Sequence, residues 1–294
     1  MRRIAVLMTC YNRVETTLRC LRSLFSQTLV QSSNPTIPNQ TILDVWLVDD
    51  ASPDGTGAKV KAEFPQVNVI RGTGKLFWSK GMRLAWDTAA AAKDYDFYLW
   101  LNDDVELYPA ALEGALADYD RVSAQNPRSA IFGTLAESPG SVRISYGYNC
   151  REGEREKTAP SGRPQRIVGL VCGNFVLIPR AVHEAAGRIY GGYRHAGGDV
   201  DYGLVMDRTG CAKFLASAFV GWCAMNGTSL DATIRALPLM KRIAQLWNPR
   251  GRDLHDAFVF RRRNNGFLRA IVSCAHVALT VVFAPVLQEK GLRS

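Results

Sequence analysis

Asn102-Asp103-Asp104 follows directly on the apolar run 97–101, and acids behind a buried strand need something to neutralise them. A divalent cation is the usual partner for oxygen ligands of this kind. Side chains two apart at a strand end point the same way, so Asn102 and Asp104 are placed to share a hard metal and a ribose hydroxyl. Acidic turns after strands are also common without any ligand, so the neighbouring segments decide the reading. A second acidic pair, Asp49-Asp50, ends the apolar segment 44–48 and runs into Ala51-Ser52-Pro53-Asp54-Gly55-Thr56. A third lies in Gly197-Gly198-Asp199-Val200-Asp201-Tyr202-Gly203.

The elements that carry these acids alternate. Residues 4–9 read as a short apolar strand opening into Cys10-Tyr11-Asn12-Arg13. A helix follows, with Leu18, Leu21, Leu24 and Phe25 on one face. A strand at 44–48, a helix at 57–64 and a strand at 67–70 ending in Gly72-Thr73-Gly74 come next. A helix at 78–92 then leads to the strand before Asn102. Each polar motif stands at the C-terminal end of a strand, the edge where open α/β sheets bind ligands.

Taken in order, Thr9-Cys10-Tyr11-Asn12-Arg13, Val48-Asp49-Asp50-Ala51-Ser52-Pro53-Asp54-Gly55-Thr56 and Leu101-Asn102-Asp103-Asp104 resemble the nucleotide-sugar motifs of family 2 glycosyltransferases of the GT-A fold. The segments 172–180 and 197–203 resemble that family's acceptor-side strand and its acidic catalytic segment. The resemblance implies a GT-A α/β fold, with a mixed, mostly parallel central sheet flanked by helices. It would occupy 1–230, the nucleotide-sugar half at about 1–105 and the acceptor half at about 106–230, followed by a C-terminal helical extension at 231–294. It implies an inverting, metal-dependent hexosyltransferase that moves a sugar from a UDP- or dTDP-sugar to a growing cell-surface glycan or lipid-linked acceptor. The alternative is a catalytically inactive, glycosyltransferase-like binding or scaffold protein of a polysaccharide assembly complex.

Roles carried over from the family fall on named residues. Asp104 is the expected ligand of a divalent metal, Mg or Mn. Asn102 stands where the family usually has Asp. Thr9, Tyr11, Asn12 and Arg13 match the nucleotide-edge motif, Asp49 and Asp50 the contacts to base and ribose, and Asp103 the donor motif. Gly74, Trp78, Lys80 and Met82 fall in the donor-sugar loop, and Gly173, Asn174 and His195 on the acceptor side. Asp199 is the expected general base with Asp201 in support, and the reverse order stays open. Structural alternatives stand beside these: a turn acceptor for Asp49, a helix-surface charge for Arg13, a core ring for Trp78, a solvated charge for Lys80, a solvated loop for His195. Asp199 and Asp201 have theirs in capping a helix expected at 202–208. Two family features are missing: an Arg after the acidic segment, where Val205 and Met206 stand, and a metal-ligating His in 222–229, where Asn226 is found.

Other classes fail on their own motifs. Gly72-Thr73-Gly74 has Phe77 where a dinucleotide fingerprint needs its third glycine, and Gly74-Lys75-Leu76 is no phosphate loop. Nor is there a glycine-rich phosphate loop before Arg13, as a sugar nucleotidyltransferase would have. Seven scattered cysteines without a Cys-x-x-Cys pair argue against a disulfide framework or structural zinc and fit a reducing compartment. A strand beginning by residue 4 leaves no expectation of a signal peptide. The polar stretches 31–41 and 137–165 read as surface loops.

The net charge of +9 is concentrated in the tail, where residues 235–294 hold 11 Lys or Arg against 3 Asp or Glu. Arg261-Arg262-Arg263 and Arg269 flank Phe258, Phe260, Phe267 and Leu268, and the uncharged stretch 270–287 follows. Basic residues beside apolar ones suit an anionic membrane surface. The expected location is therefore cytoplasmic and peripheral to the inner face of the plasma membrane. An interfacial helix, a helix docked on the domain and a span all fit the stretch, whose 18 residues are marginal for a bilayer. Nucleic acid is not expected as a partner, given the acidic pocket upstream.

Overall fold

Along β1 (Arg2–Cys10), Ile4, Val6, Met8 and Cys10 face one side and Ala5 and Leu7 the other, and all six are buried. A strand apolar on both faces must be covered on both, and helices are what a parallel sheet supplies. The computed structural model of the protein describes residues 2–31, 41–151, 154–168, 172–224 and 230–283. From β1 the chain runs through α1 (Val14–Phe25), α2 (Thr28–Gln31), β2 (Thr41–Asp49), α3 (Thr56–Glu63) and β3 (Asn68–Arg71). It continues through α4 (Phe77–Ala92), β4 (Phe97–Leu101), β5 (Glu106–Leu107), α5 (Ala111–Ser123), β6 (Ser129–Ala136) and β7 (Ile144–Tyr146). A hairpin, β8 (Tyr148–Arg151) and β9 (Glu154–Lys157), precedes β10 (Gln165–Ile167), β11 (Phe175–Pro179), α6 (Arg180–Ala186), α7 (Gly198–Arg208) and β12 (Ala212–Trp222).

The main sheet is ordered β10-β12-β6-β11-β4-β1-β2-β3, with β5 paired to β12 and β7 to β6. Strands β3, β2, β1 and β4 are parallel, as are β6 and β12; β11 inserts antiparallel between β4 and β6. Helices α1, α3 and α5 cover one face, against Ile4, Val6 and Met8. Helices α4, α6 and α7 cover the other, where Trp86 and Trp100 meet edge to face with centroids 5.7 Å apart. Because β1 lies between β2 and β4, the chain leaves it in one direction and returns on its other side. The C-terminal ends of β1 and β4 thus border the crevice that such a switch point opens.

This is the mixed, mostly parallel α/β sheet expected, with two local differences. Helix α7 begins at Gly198, four residues before the expected start, so Asp199 and Asp201 both lie in its first turn. The stretch 137–165 is not all loop, since it contains β7 and the β8–β9 hairpin. Most of 31–41 lies outside the described residues.

The tail folds as α8 (Leu230–Arg235), α9 (Leu239–Ala244), a 3₁₀ turn at Gln245–Trp247, α10 (Leu254–Asn265) and α11 (Phe267–Val282). Gly266, with φ +93°, breaks α10 from α11, a conformation that a side chain would oppose. Helix α10 packs on α7, and α11 packs on α10 and α9. Ala270 and Val281 of α11 are buried, whereas Phe267, Leu268, Ile271, Val272 and Leu279 are exposed. Among the described residues, no helix is long and apolar enough to cross a membrane. No disulfide joins the described cysteines.

Candidate functional site

Only three non-glycine residues among those described have positive φ, and all three stand at the crevice: Asn12 (55°), Ala51 (57°) and Phe77 (53°). Each such backbone costs on the order of 1–3 kcal/mol and persists only where surrounding bonds over-determine it. The bonds are visible. Asp50, 3% exposed, accepts N–H bonds from Gly74 (2.7 Å), Leu76 (2.8 Å) and Phe77 (3.0 Å). Asp49 accepts from Ser52 and Gly57, and a side chain at Gly57 would collide with it. The Asn12 N–H donates to Ser52 Oγ at 3.0 Å. Both acids therefore shape the loops at the ends of β2 and β3, which for Asp49 is the turn-acceptor alternative.

Behind β4, Arg13 reaches from the start of α1 to Asp103 (3.0 Å) and Asp104 (2.9 Å) through one guanidinium nitrogen. Asp103 turns inward, where the Thr17 hydroxyl also donates to it. It thus braces α1, a correction to its place among the donor contacts. Among the described residues, no N–H or O–H group donates to the buried Asp104 Oδ1. Beside it, burial first, then the Asp104 charge and a hydrogen bond with that carboxylate, push the Cys223 thiol up to about 12. Asn226 and the rest of 225–229 lie outside the described residues.

Burial, partly offset by Arg13 and reinforced by Asp104, pushes the Asp103 carboxyl from 3.8 up to about 6. The folded protein holds that proton more tightly than the unfolded chain. Asp103 therefore favours the fold fully below pH 3.8, and the contribution is lost as pH rises through 6. Melts of the wild type and Asp103→Asn should diverge in favour of the variant by roughly 3 kcal/mol between about pH 4 and 7. A difference independent of pH would refute the shift.

The two halves of the molecule meet at Trp78. Its Nε1–H donates to Asn102 Oδ1 at 2.8 Å, and its ring stands edge-on to Trp100. Gly173 lies so close that a Cβ there would be 2.8 Å from the Trp78 ring and 3.1 Å from the Asp199 Cβ. The Gly173 N–H donates to Asp199 Oδ2 at 3.1 Å, and the Val200 N–H to Oδ1 at 2.8 Å. Asp199 is thus beside the Asn102–Trp78 pair. Asp201 is 1% exposed and faces α10, where Arg263 Nε (3.0 Å) and Asn264 Nδ2 (2.8 Å) donate to it.

Of the other expected residues, Tyr11 is exposed, and Thr9 backs against Gly81 of α4. Lys80 lies in the first turn of α4. The largely buried Asn174 accepts the Asn102 N–H through its carbonyl at 3.0 Å. Met82 is a correction: it is wholly buried among Ala85, Trp86 and Ala89 and does not line the crevice. His195 lies against Phe77, with ring centroids 6.0 Å apart. Burial first, then Arg250, holds its pKa below the usual value, so it is neutral near pH 7.

Sequence reasoning missed Arg250. Its guanidinium comes from the tail to lie over the rings of Tyr11 (5.6 Å) and Phe77 (5.9 Å). Also from the tail, Asp253, His255 and Asp256 bring ligand atoms within 4.8 Å of one another. Those acids are already engaged, Asp253 with Arg194 and Asp256 with the N–H groups of Arg194, His195 and Ala196.

Comparison with known proteins agrees with this geometry. Residues 5–187, well over half of the chain, match the sequence profile described as glycosyl transferase family 2. Among curated proteins no sequence matches significantly. The mannosyltransferase PcManGT from Pyrobaculum calidifontis, solved with GDP-Man and Mn²⁺, superposes over 100% of this chain and 76% of its own (TM-score 0.54, 14% identity). S. aureus TarS 1–349, solved with UDP-GlcNAc, superposes over 97% of this chain and 83% of its own (TM-score 0.55, 13% identity). At such identities the likeness is one of fold.

Proposed function

The chain belongs to glycosyl transferase family 2 and is a glycosyltransferase of GT-A fold, and from that premise we propose an inverting transfer from a UDP- or dTDP-sugar to a hydroxyl of a growing cell-surface glycan or lipid-linked acceptor. The observation that carries the reading is the junction at Gly173. There the acid of α7 and the ring of Trp78, itself bonded to Asn102 of the donor motif, come within van der Waals reach of one glycine. An acceptor hydroxyl beside that junction would lie between a base and a sugar held near Asn102.

In this mechanism Asp199 takes the proton of the acceptor hydroxyl as its oxygen attacks the anomeric carbon. The new carbon–oxygen bond forms while the bond to the diphosphate breaks, and a single displacement inverts the anomeric configuration. Trp78 is held by Asn102 to face the donor sugar, and Arg13, Arg250 and Lys80 add positive charge near the nucleotide. The buried Oδ1 of Asp104, to which no N–H or O–H group among the described residues donates, suits a hard divalent cation, Mg²⁺ or Mn²⁺, and Mn²⁺ accompanies the donor in PcManGT. When bound there, such an ion neutralises charge on the leaving diphosphate without proton transfer.

Incubating the protein with a panel of UDP-, dTDP- and GDP-sugars, Mg²⁺ or Mn²⁺ and glycan acceptors tests the reading. Product of inverted configuration by NMR is expected from a UDP- or dTDP-sugar. Retained configuration, or turnover of GDP-sugars alone, would overturn it.

We also propose that the exposed face of α11, flanked by Arg261, Arg262 and Arg269, meets an anionic membrane surface. Each basic residue near such a surface adds roughly 1 kcal/mol. Arg263 does not belong to that set, because it faces Asp201. Removing 267–294 should abolish co-flotation with anionic vesicles. Raised salt should weaken it too, since screening acts over about 8 Å at physiological ionic strength. Equal binding to neutral vesicles would sink the idea.

A further inference from the structure

We propose that helix α10 is a positioning element of the active site, and that Asp256 and Arg263 fix the segment that carries Asp199. The inference rests on the reading of Asp199 as the base. Arg194, His195 and Ala196 turn three successive N–H groups in one direction, a concavity suited to an anion. The Asp256 carboxylate fills it, with Oδ1 accepting from Arg194 (2.8 Å) and Oδ2 from His195 (2.9 Å) and Ala196 (3.0 Å). At 5% exposure Asp256 leaves little access for water to replace those bonds.

Past Asp199, the same helix grips again. Arg263 and Asn264 donate to the buried Asp201, and Asn264 Oδ1 accepts from Arg208 at 2.6 Å. Gly197, with φ +85°, stands between the two grips. A glycine in the left-handed region is a natural hinge, and α10 holds the chain on both sides of it. Asp199 lies two residues beyond that hinge.

The composition of α10 argues for this duty over simple packing. A helix docked for stability alone buries an apolar stripe. In α10 the one buried residue is Asp256, an acid. The segment before it also carries Arg250 over Tyr11 and Phe77. The strap therefore touches both the acceptor-side acid segment and the nucleotide edge.

The test uses the full-length protein, with Asp199→Asn as reference beside Asp256→Ala, Asp256→Asn, Arg263→Ala and Arg263→Lys. Transfer kcat, UDP and dTDP affinity by calorimetry, and melting temperature are measured for each. Misplacing a reacting group by about 1 Å costs on the order of 10²-fold. Asp256→Ala and Arg263→Ala should therefore lower kcat by about 10- to 100-fold, with nucleotide affinity within about twofold of wild type. Asp256→Asn should recover part of the rate, because its oxygen still accepts N–H bonds, and Arg263→Lys likewise keeps a donor. These two conservative variants also decide the matter if the alanine variants do not fold. Unchanged kcat in all four, or a parallel loss of nucleotide affinity, would overturn the inference while a slow Asp199→Asn leaves the base reading intact. Full transfer by Asp199→Asn would overturn both.

Discussion

Asp199→Asn lowers sugar transfer by about 10²–10⁴-fold, the usual worth of general-base assistance, and leaves nucleoside diphosphate affinity within about twofold. The asparagine keeps the shape of the side chain and one oxygen for the N–H of Gly173 or Val200, so α7 keeps its entry. It cannot take a proton from an acceptor hydroxyl at neutral pH. Asp201→Asn gives the opposite pattern. Its carboxylate is buried under Arg263 and Asn264, so the loss falls first on folding stability, by roughly 1–3 kcal/mol, and less on rate. Initial rates and calorimetric titration with UDP and dTDP, run on both variants, separate the roles. A larger rate loss at Asp201 reverses the assignment, and a collapse of nucleotide affinity at Asp199 moves that residue to the metal site.

What the sequence made legible was local. β1 shows its burial in six residues, and the acids at the ends of β2 and β4 follow from where the apolar runs stop. The contacts that give those acids their duties are long-range. Asp50 holds Gly74, Leu76 and Phe77, which lie 24 to 27 residues later, and no periodicity reports such a pairing. Asp256 meets Arg194, His195 and Ala196 about sixty positions earlier, so the tail read as charge for a membrane when one of its arginines turns inward. Met82 was readable. It recurs with Ala85, Trp86 and Ala89 at the spacing of a buried helical face, a pattern that outweighs its place beside a donor-loop motif. The early start of α7 was not readable, because Gly197-Gly198 reads as a loop until its left-handed backbone is seen.

Asp104→Asn abolishes transfer, and chelation of divalent metal does the same to the wild type. Neutralising diphosphate charge in the transition state is worth several kcal/mol, which corresponds to about 10³-fold or more in rate. Asp104 offers a buried Oδ1 to which no N–H or O–H group among the described residues donates, while Oδ2 accepts from Arg13. An amide there keeps the volume and loses the charge that attracts a cation. It also relieves Arg13 of one of its two carboxylates, since Asp103 remains. The two effects have opposite signs on nucleotide binding. Without metal, UDP affinity should hold or rise in the variant, because Arg13 is less neutralised. With Mn²⁺, UDP affinity should rise strongly in the wild type and hardly at all in Asp104→Asn. A merely misfolded variant would lose affinity in both conditions, so the pair of titrations distinguishes a lost ligand from a lost fold. Near-normal turnover in Asp104→Asn, or activity that survives chelation, removes the metal from this site and leaves charge neutralisation to Arg13 and Arg250.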